Sequence, residues 1–388
     1  MSNIVLIGLV SFFVDISTEM VYPIIPLYLT GTFGATPAIV GLVEGIAESL
    51  ASLLKVLGGY LSDRYKKKKR IAFIGYSTSL LYKVALVLSS SWWGILAARV
   101  IDRLGKGIRT SPRDLLVAES SDKNKLGSSF GLHKALDMAG SAIGIFLAYV
   151  FLKTTTGTGQ YKTLFMVSMV PTIIGLAILL KVKEKGTAAK KKDIGNLIEG
   201  FRNLDSRLKL FLITAFVFTL GNSSNAFLLL RARDAGYDSA TVVLLYFIYN
   251  VVSSVLSLPL GKLSDKVGRR KLLVTGYLVF GAVYTGFAVA SSKLLVAFLF
   301  ALYGVYTAMT AGVERALVSE LAPVSLKGTT LGLHSTLVGV ALLPASVVAG
   351  LLWDGIGPSA PFFFGGSLAI ASAIALFFIL KDDSGKSV

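Results

Sequence analysis

One short motif occurs twice in this sequence, and its two copies decide the fold class. Gly59-Tyr-Leu-Ser-Asp63-Arg64 in the first half matches Gly261-Lys-Leu-Ser-Asp265-Lys266 in the second half, at an offset of 202. Each copy is followed by basic residues, Lys66–Arg70 in the first and Gly268-Arg269-Arg270-Lys271 in the second. A motif that recurs after about half the chain length indicates an internal duplication.

A second pair of matches has nearly the same offset, 201. Each copy has a glutamate eight residues before a glycine, followed by Gly-Leu-His: Glu119, Gly127 and Gly131-Leu-His133 recur as Glu320, Gly328 and Gly332-Leu-His334. Two independent matches at the same spacing predict two halves with the same topology, which is a common design of membrane transporters.

The composition indicates a membrane protein. Of the 388 residues, 54% are hydrophobic and 16% are charged, whereas about 25% are charged in an ordinary soluble domain. A membrane-spanning helix needs about 20 apolar residues. We therefore predict an all-α membrane protein of 12 transmembrane helices in two pseudo-symmetric six-helix bundles, residues 1–181 and 208–388, joined by a basic cytoplasmic linker at 182–207. The predicted spans lie at about 4–29, 37–61, 71–90, 92–118, 128–152, 161–181, 208–231, 240–260, 272–291, 293–319, 328–352 and 358–380.

The net charge of +17 is explained by topology. Most Lys and Arg residues lie in the loops on one side of the predicted membrane, and such loops face the cytoplasm. Both termini are therefore predicted to be cytoplasmic, in a multi-pass protein of the cell membrane, and no nucleic acid partner is expected. With no Cys and two His, disulfides are excluded, and neither a cofactor nor a metal site is expected.

The doubled motif, the six-plus-six topology and the basic linker resemble the major facilitator superfamily (MFS). The resemblance covers essentially the whole chain, although Lys66 stands where the family usually has glycine. It implies a transporter with alternating access and a cytoplasmic gate, in which Asp63 meets the helix that begins near Gly328 and Asp265 meets the helix that begins near Gly127. The gate residues carried over are Gly59, Asp63, Arg64, Gly261, Asp265, Gly268 and Arg269.

Ionisable residues inside the spans are the second signal, because a charge in the bilayer is costly and usually marks a cavity or a partner. Asp15, Glu19 and Tyr22 share one face of the first span, and Glu44 and Glu48 are one turn apart on the second. The candidate residues for binding substrate or protons are Asp15, Glu19, Tyr22, Glu44, Glu48, Arg99, Asp102, Arg103, Lys106, Arg109, His133 and Asp137, with the polar, uncharged Asn222 and Asn225 in the second half.

Two interpretations of these charges stay open. They form static pairs within the bundle, or a subset of them faces a central cavity. In the second case Arg103, Lys106 or Arg109 contacts an anionic group of the substrate. The proton carrier is then the least paired acid, with Glu48 and Glu19 as first candidates. Arg99 matches an arginine of the family, but Arg103 replaces the glycine expected after it, so the match is partial.

The sequence thus predicts a monomeric secondary active transporter for a small polar or anionic organic solute, coupled to protons. One alternative is a proton-driven exporter of drugs and amphiphiles. The stretch Gly140–Gly144 lacks the proline of the family's antiporter pattern, and this absence counts against the exporter. An alternative of another class is a non-transporting membrane receptor or scaffold, disfavoured by the doubled motif. An enzyme is not expected, because no nucleophile–base pair or phosphate-binding loop stands out.

Overall fold

The structure is a computed structural model. It describes residues 3–65, 68–121, 126–157, 159–184, 205–322 and 327–379, without the side chains of residues 55–65, 126–128, 131 and 327–329. Most of the predicted linker, 182–207, therefore lies outside the described residues, and so do the side chains of Gly59, Asp63 and Arg64.

Every element within the described residues is helical. The first half contains α1 (Asn3–Val21), a 3-10 turn (Tyr22–Ile24), α2 (Ile25–Phe33), α3 (Pro37–Tyr65), α4 (Lys68–Leu88), α5 (Trp92–Ser120), α6 (Leu126–Thr154) and α7 (Gln160–Lys181). The second half contains α8 (Ser206–Gly221), α9 (Ala226–Asp234), α10 (Ser239–Val267), α11 (Arg269–Val289), α12 (Lys293–Leu321), α13 (Lys327–Gly355) and α14 (Ala360–Ile379).

The duplication is visible in the helix lengths. Helices α3, α4, α5 and α6 have 29, 21, 29 and 29 residues, and α10, α11, α12 and α13 have the same lengths in the same order. The packing repeats as well. In the first half α1 packs on α6 and α7, and α4 packs on α5 and α7; in the second half α8 packs on α13 and α14, and α11 packs on α12 and α14.

Eleven stretches of the described residues are long and apolar enough to cross a membrane. Two of them, Asn3–Phe33 and Ser206–Asp234, each join two of the helices. Helix α5 is not among the eleven, because its charged stripe lowers its hydropathy. The predicted all-helical membrane fold is confirmed, whereas the count of twelve spans and the cytoplasmic side stay predictions.

The predicted helices at 4–29 and 208–231 are each interrupted in the structure. Pro23 lies in the 3-10 turn that separates α1 from α2, because proline has no N–H to continue the helix. Residues 222–225, Asn-Ser-Ser-Asn, separate α8 from α9. Short polar side chains of this kind hydrogen-bond nearby backbone and compete with the helix. Both breaks fall in the first span of a half, at equivalent positions.

Contacts between residues divide the chain into two compact units. The first contains Met1–Lys192 and Asn225–Phe247, and the second contains Asp193–Ser224 and Ile248–Val388. Helix α9 and the start of α10 thus pack within the first unit, where α9 contacts α2 and α3. The sequence-based division at residues 182–207 follows the duplication and stays a prediction about domains.

Candidate functional site

The charged stripe of α5 meets the two glutamates of α3 inside the first unit. Arg99 Nη2 lies 2.5 Å from Glu44 Oε2, and both side chains are only 1% exposed. The guanidinium carbon of Arg99 also lies 5.4 Å from the ring centroid of Tyr22, in the 3-10 turn. This pair is buried and joins three elements, as the static interpretation of the charges predicts.

A second ion pair lies one helical turn further along both helices. Arg103 Nη1 lies 3.1 Å from Glu48 Oε1, and Arg99 Nη2 lies 3.9 Å from the same oxygen. The Nε atom of Arg103 lies 3.3 Å from Asp102 Oδ2. The side chain of Glu48 is 29% exposed, so this pair is less buried than the pair of Arg99 and Glu44. Because two guanidinium groups face Glu48, it is not the least paired acid.

Lys106 continues the stripe and lies among acids of two other helices. The charged groups that surround it are Arg103 on its own helix, Glu48 on α3, and Asp102 and Asp15. Glu19 on α1 faces Lys106 as well. Among the described residues, the ammonium group of Lys106 has no carboxylate at salt-bridge distance, unlike Arg99 and Arg103.

Two acids on different helices, Asp15 on α1 and Asp137 on α6, lie close enough to interact electrostatically. Helix α6 can lie close to α1 because Gly140 and Gly144 of α6 face the backbone of α1. An added Cβ at either glycine would stand 2.4 Å from the carbonyl oxygen of Phe12 or of Ile16. An ionised carboxylate can only accept hydrogen bonds, so a bond between two carboxyl groups requires a proton on one of them.

Arg109 and Lys83 extend the polar interior toward α4 and α7. Arg109 Nη1 donates a hydrogen bond of 2.6 Å to Ser79 Oγ. The fully buried Lys83 donates to the Ser79 carbonyl, and its Nζ lies 3.2 Å from Thr172 Oγ1. Lys83 is an in-span charge that was not among the candidate site residues, and Ser79 and Thr172 were missed because a hydroxyl in a span carries no spacing signal by itself.

His133 lies in a separate polar cluster. Its Nε2 lies 3.0 Å from Ser11 Oγ, which in turn lies 3.2 Å from the hydroxyl of Tyr76. The structure therefore brings Asp15, Glu19, Tyr22, Glu44, Glu48, Arg99, Asp102, Arg103, Lys106 and Asp137 into one network, with Arg109 beside it and His133 in this neighbouring cluster.

In the second unit, the helix break at Asn222 places the polar amide of this residue beside tyrosine side chains. Asn222 Nδ2 donates to the Tyr306 hydroxyl at 3.0 Å, and the Tyr303 hydroxyl donates to Asn222 Oδ1 at 3.5 Å. Asn225 starts α9 through its carbonyl oxygen and lies in the first unit. The tyrosines were missed from the sequence, although their i, i+3 spacing on α12 places them on one face.

The repeated loop motif forms equivalent ion pairs in the two units. Arg269 Nη1 lies 2.6 Å from Glu320 Oε2, and Arg269 Nη2 lies 3.4 Å from Asp265 Oδ1. The first-half equivalents of Arg269 and Glu320 are Lys68 and Glu119, which form a salt bridge too. Gly268 has a φ of 94° and joins α10 to α11, a conformation that favours glycine. The predicted contacts of Asp63 and Asp265 with helix starts stay predictions.

Comparisons with known proteins agree with this architecture. The sequence profile of the Major Facilitator Superfamily matches residues 7–230 and 210–388. An uncharacterized MFS-type transporter of Methanocaldococcus jannaschii is 39% identical over 383 residues, which cover 97% of this chain and 94% of the relative. The multi-drug resistance efflux pump PmrA of Streptococcus pneumoniae is 26% identical, over 81% of this chain and 79% of the pump.

Solved structures show the same fold at low sequence identity. The nucleoside transporter NupG superposes with a TM-score of 0.82 at 12% identity, over 98% of this chain and all of NupG. A POT family transporter in complex with 5-aminolevulinic acid superposes with a TM-score of 0.80 at 13% identity, over 97% of this chain and 96% of the transporter.

Fold, duplication and buried charges together define a multi-pass membrane transporter rather than an enzyme. The chain belongs to the Major Facilitator Superfamily.

Proposed function

We propose that the protein is a proton-coupled secondary active transporter for a small anionic or polar organic solute, working by rocker-switch alternating access. The observation that carries this proposal is that two interacting carboxyl groups, Asp15 and Asp137, lie near the cationic groups Lys106 and Arg109. Lys106 and Arg109 act electrostatically on Asp15, so binding of an anion and release of a proton can influence each other.

The physical link is charge compensation. When an anionic group of the solute binds Lys106, it competes with the acids that surround the ammonium group, and the field of Lys106 at Asp15 weakens. A weaker positive field favours the protonated form of the carboxyl pair. Binding of the anion and binding of a proton therefore support each other. This coupling predicts that solute and proton move in the same direction.

Among the acids of the first unit, the pair of Asp15 and Asp137 fits the role of proton carrier better than Glu48 does. Glu48 has two guanidinium groups within 4 Å, so its carboxylate is already paired. Asp137 has one partner of opposite charge at salt-bridge distance, Lys134, whose side chain is 67% exposed. Exposed ion pairs of this kind contribute little. Glu19 remains a second candidate.

Export of amphiphilic drugs is the alternative function, favoured by the relationship to PmrA. The aromatic cluster around Asn222 would suit such compounds, because the rings of Phe218, Phe280, Tyr303 and Tyr306 lie close together. The buried charges of the first unit favour a charged or polar solute instead, since they would be left without partners by an apolar one.

The test is flux in proteoliposomes that contain a trapped pH dye. The panel would include uridine, dialanine, 5-aminolevulinic acid and lactate, with ethidium as the probe for drug export. Proton influx upon addition of one of the first four solutes is expected. A response to ethidium alone would overturn the proposal in favour of drug export.

Asp137→Asn is the informative variant in this assay. It should abolish solute-driven proton movement and leave solute binding measurable. Asp114→Asn is the matched control, because Asp114 is paired with Arg113 at 2.9 Å and is 45% exposed. Equal proton movement in Asp137→Asn and the unchanged protein would exclude the carboxyl pair as the carrier.

A further inference from the structure

A second cluster of ionisable side chains lies in the second unit. It contains Glu314 on α12, Tyr277 on α11 and His334 on α13. The Tyr277 hydroxyl donates to Glu314 Oε1 at 3.0 Å. His334 Nε2 lies 3.7 Å from Glu314 Oε2, with the two side chains 8% and 17% exposed.

The cluster is enclosed largely by aromatic rings. Phe211 on α8 lies parallel to the ring of His334, with a centroid distance of 6.3 Å. Phe218, also on α8, stacks on Tyr277 with a centroid distance of 3.7 Å. Aromatic walls offer a buried charge little solvation. Among the described residues, the ionisable side chains around Glu314 are therefore the main groups that can compensate its carboxylate.

Those residues can be named for each helix that packs on Glu314. On α12 they are Arg315, the next residue, and Tyr306; on α11 there is Tyr277, and on α13 there is His334. The side chain of Arg315 belongs to an exposed residue, and both tyrosines are neutral donors. His334 is thus the buried group that can carry a positive charge next to Glu314.

The first unit has a tyrosine and a histidine at the equivalent positions, but an arginine in place of the glutamate. At an offset of 201, the equivalents of Tyr277, Glu314 and His334 are Tyr76, Arg113 and His133. There Ser11 lies between the tyrosine and the histidine, and Arg113 pairs with Asp114. In the first unit the tyrosine and the histidine are therefore linked without an acid at this position.

If Glu314 and His334 hold one proton between them, the pair is neutral in either arrangement: carboxylic acid with imidazole, or carboxylate with imidazolium. With no proton the pair is an anion, and with two it is a cation, and both are costly in an aromatic enclosure. The buried Nε2 of His334 has no hydrogen-bond partner among the described residues. A movement of less than 1 Å would bring it into hydrogen-bond distance of Glu314.

We propose that Glu314 and His334 share one proton and form a second protonation site, in the second unit. It lies seven residues before the end of α12 and seven residues after the start of α13, which is about 10 Å along each helix. The end of α12 and the start of α13 lie on the side that we assign to the cytoplasm. The site therefore exchanges its proton with that side, independently of the Asp15–Asp137 pair.

The test uses the full chain in detergent with its histidines labelled with 15N. Because the sequence has only two histidines, the spectrum is simple, and the variants His133→Asn and His334→Asn assign the signals. In Glu314→Gln the pH titration of His334 should move to lower pH by about one unit or more, a ten-fold loss of proton affinity. The His133 signal should not change. Glu320→Gln, the exposed acid of the same helix, is the matched control and should change neither signal.

A second variant keeps the proposal testable if Glu314→Gln does not fold. Tyr277→Phe removes the hydroxyl that stabilises the carboxylate, so the shared proton should be held more tightly and lost at higher pH. This is the opposite direction from Glu314→Gln. Tyr76→Phe, its equivalent in the first unit, should affect His133 alone. A His334 titration that is the same in the unchanged protein and in either variant at Glu314 or Tyr277 would overturn the proposal. None of these outcomes depends on the transport function.

Discussion

Glu44 and Arg99 form a buried ion pair between α3 and α5, with an oxygen–nitrogen distance of 2.5 Å and both side chains 1% exposed. The next acid on α3, Glu48, pairs with the next arginine on α5 but remains 29% exposed. One face of α5 thus contains both a closed pair and an accessible pair, one turn apart. The two pairs therefore differ in burial, and the loss of a partner should cost more at the closed pair.

The first prediction concerns the stability of the closed pair. Glu44→Gln should lower the free energy of unfolding by about 3 kcal/mol, because it leaves the Arg99 guanidinium buried without its main partner. Glu48→Gln, at the accessible pair, should cost about 1 kcal/mol or less, since solvent compensates part of the charge. Thermal denaturation in detergent measures both. Equal melting temperatures of the two variants would contradict the assignment.

The double variant Glu44→Gln, Arg99→Met adds a check on coupling. Removing both charges leaves no unpaired ion, so the double variant should be more stable than Glu44→Gln alone. If the two losses simply add, the residues do not act as a pair.

The second prediction concerns solute recognition by Lys106. Lys106→Gln should raise the half-saturating concentration of an anionic solute by about 10- to 100-fold, the effect of losing a charge-assisted hydrogen bond of roughly 1.5–3 kcal/mol. A neutral solute should be affected much less. Lys162→Gln, on the exposed surface of α7, is the control. Unchanged affinity for the anionic solute in Lys106→Gln would remove Lys106 from the binding site.

Much of the fold could be predicted from sequence because the duplication leaves two kinds of signal. The loop motif gives the offset, and apolar runs give the helices on both sides of it. The breaks at Pro23 and at Asn222 were not predicted, because hydropathy averages over a span and does not register where the backbone stops being helical. For Pro23 the residue type itself could have given the break.

The candidate site was predictable in its membership but not in its pairing. The stripe on α5 follows from helical spacing alone. Which arginine faces Glu44 and which faces Glu48 depends on how α3 is rotated against α5, which is set by packing. The contact between Asp15 and Asp137 depends on the close approach that Gly140 and Gly144 allow, and a glycine in a sequence does not say which backbone it faces.

The third prediction concerns acid stability outside the membrane spans. Asp238 precedes α10 and accepts a hydrogen bond of 2.7 Å from the N–H of Thr241, which holds the pKa of its carboxyl below the usual range. Because the pKa is lower in the folded state, the stabilisation is full above the unfolded pKa of about 3.9 and is lost as pH falls through the folded value. Asp238→Ala should therefore cost about 1 kcal/mol at pH 7 and almost nothing near pH 2. A difference in melting temperature that persists unchanged in acid would contradict this role.

The fourth prediction concerns the cytoplasmic gate. In the second unit Arg269 links Asp265 to Glu320, and this arrangement holds the motif aspartate near the end of α10. A carboxylate placed at a helix start accepts free N–H groups and gains from the helix dipole. If Asp63 and Asp265 act in this way, Asp63→Asn should weaken the closed state, slow transport several-fold and leave solute binding intact.

Asp205→Asn is the control, because Asp205 caps α8 outside the motif. Initial rates of uptake in proteoliposomes and binding by thermal shift separate the two effects. Equal transport rates in Asp63→Asn and Asp205→Asn would show that the motif aspartate contributes to membrane topology and not to the gate.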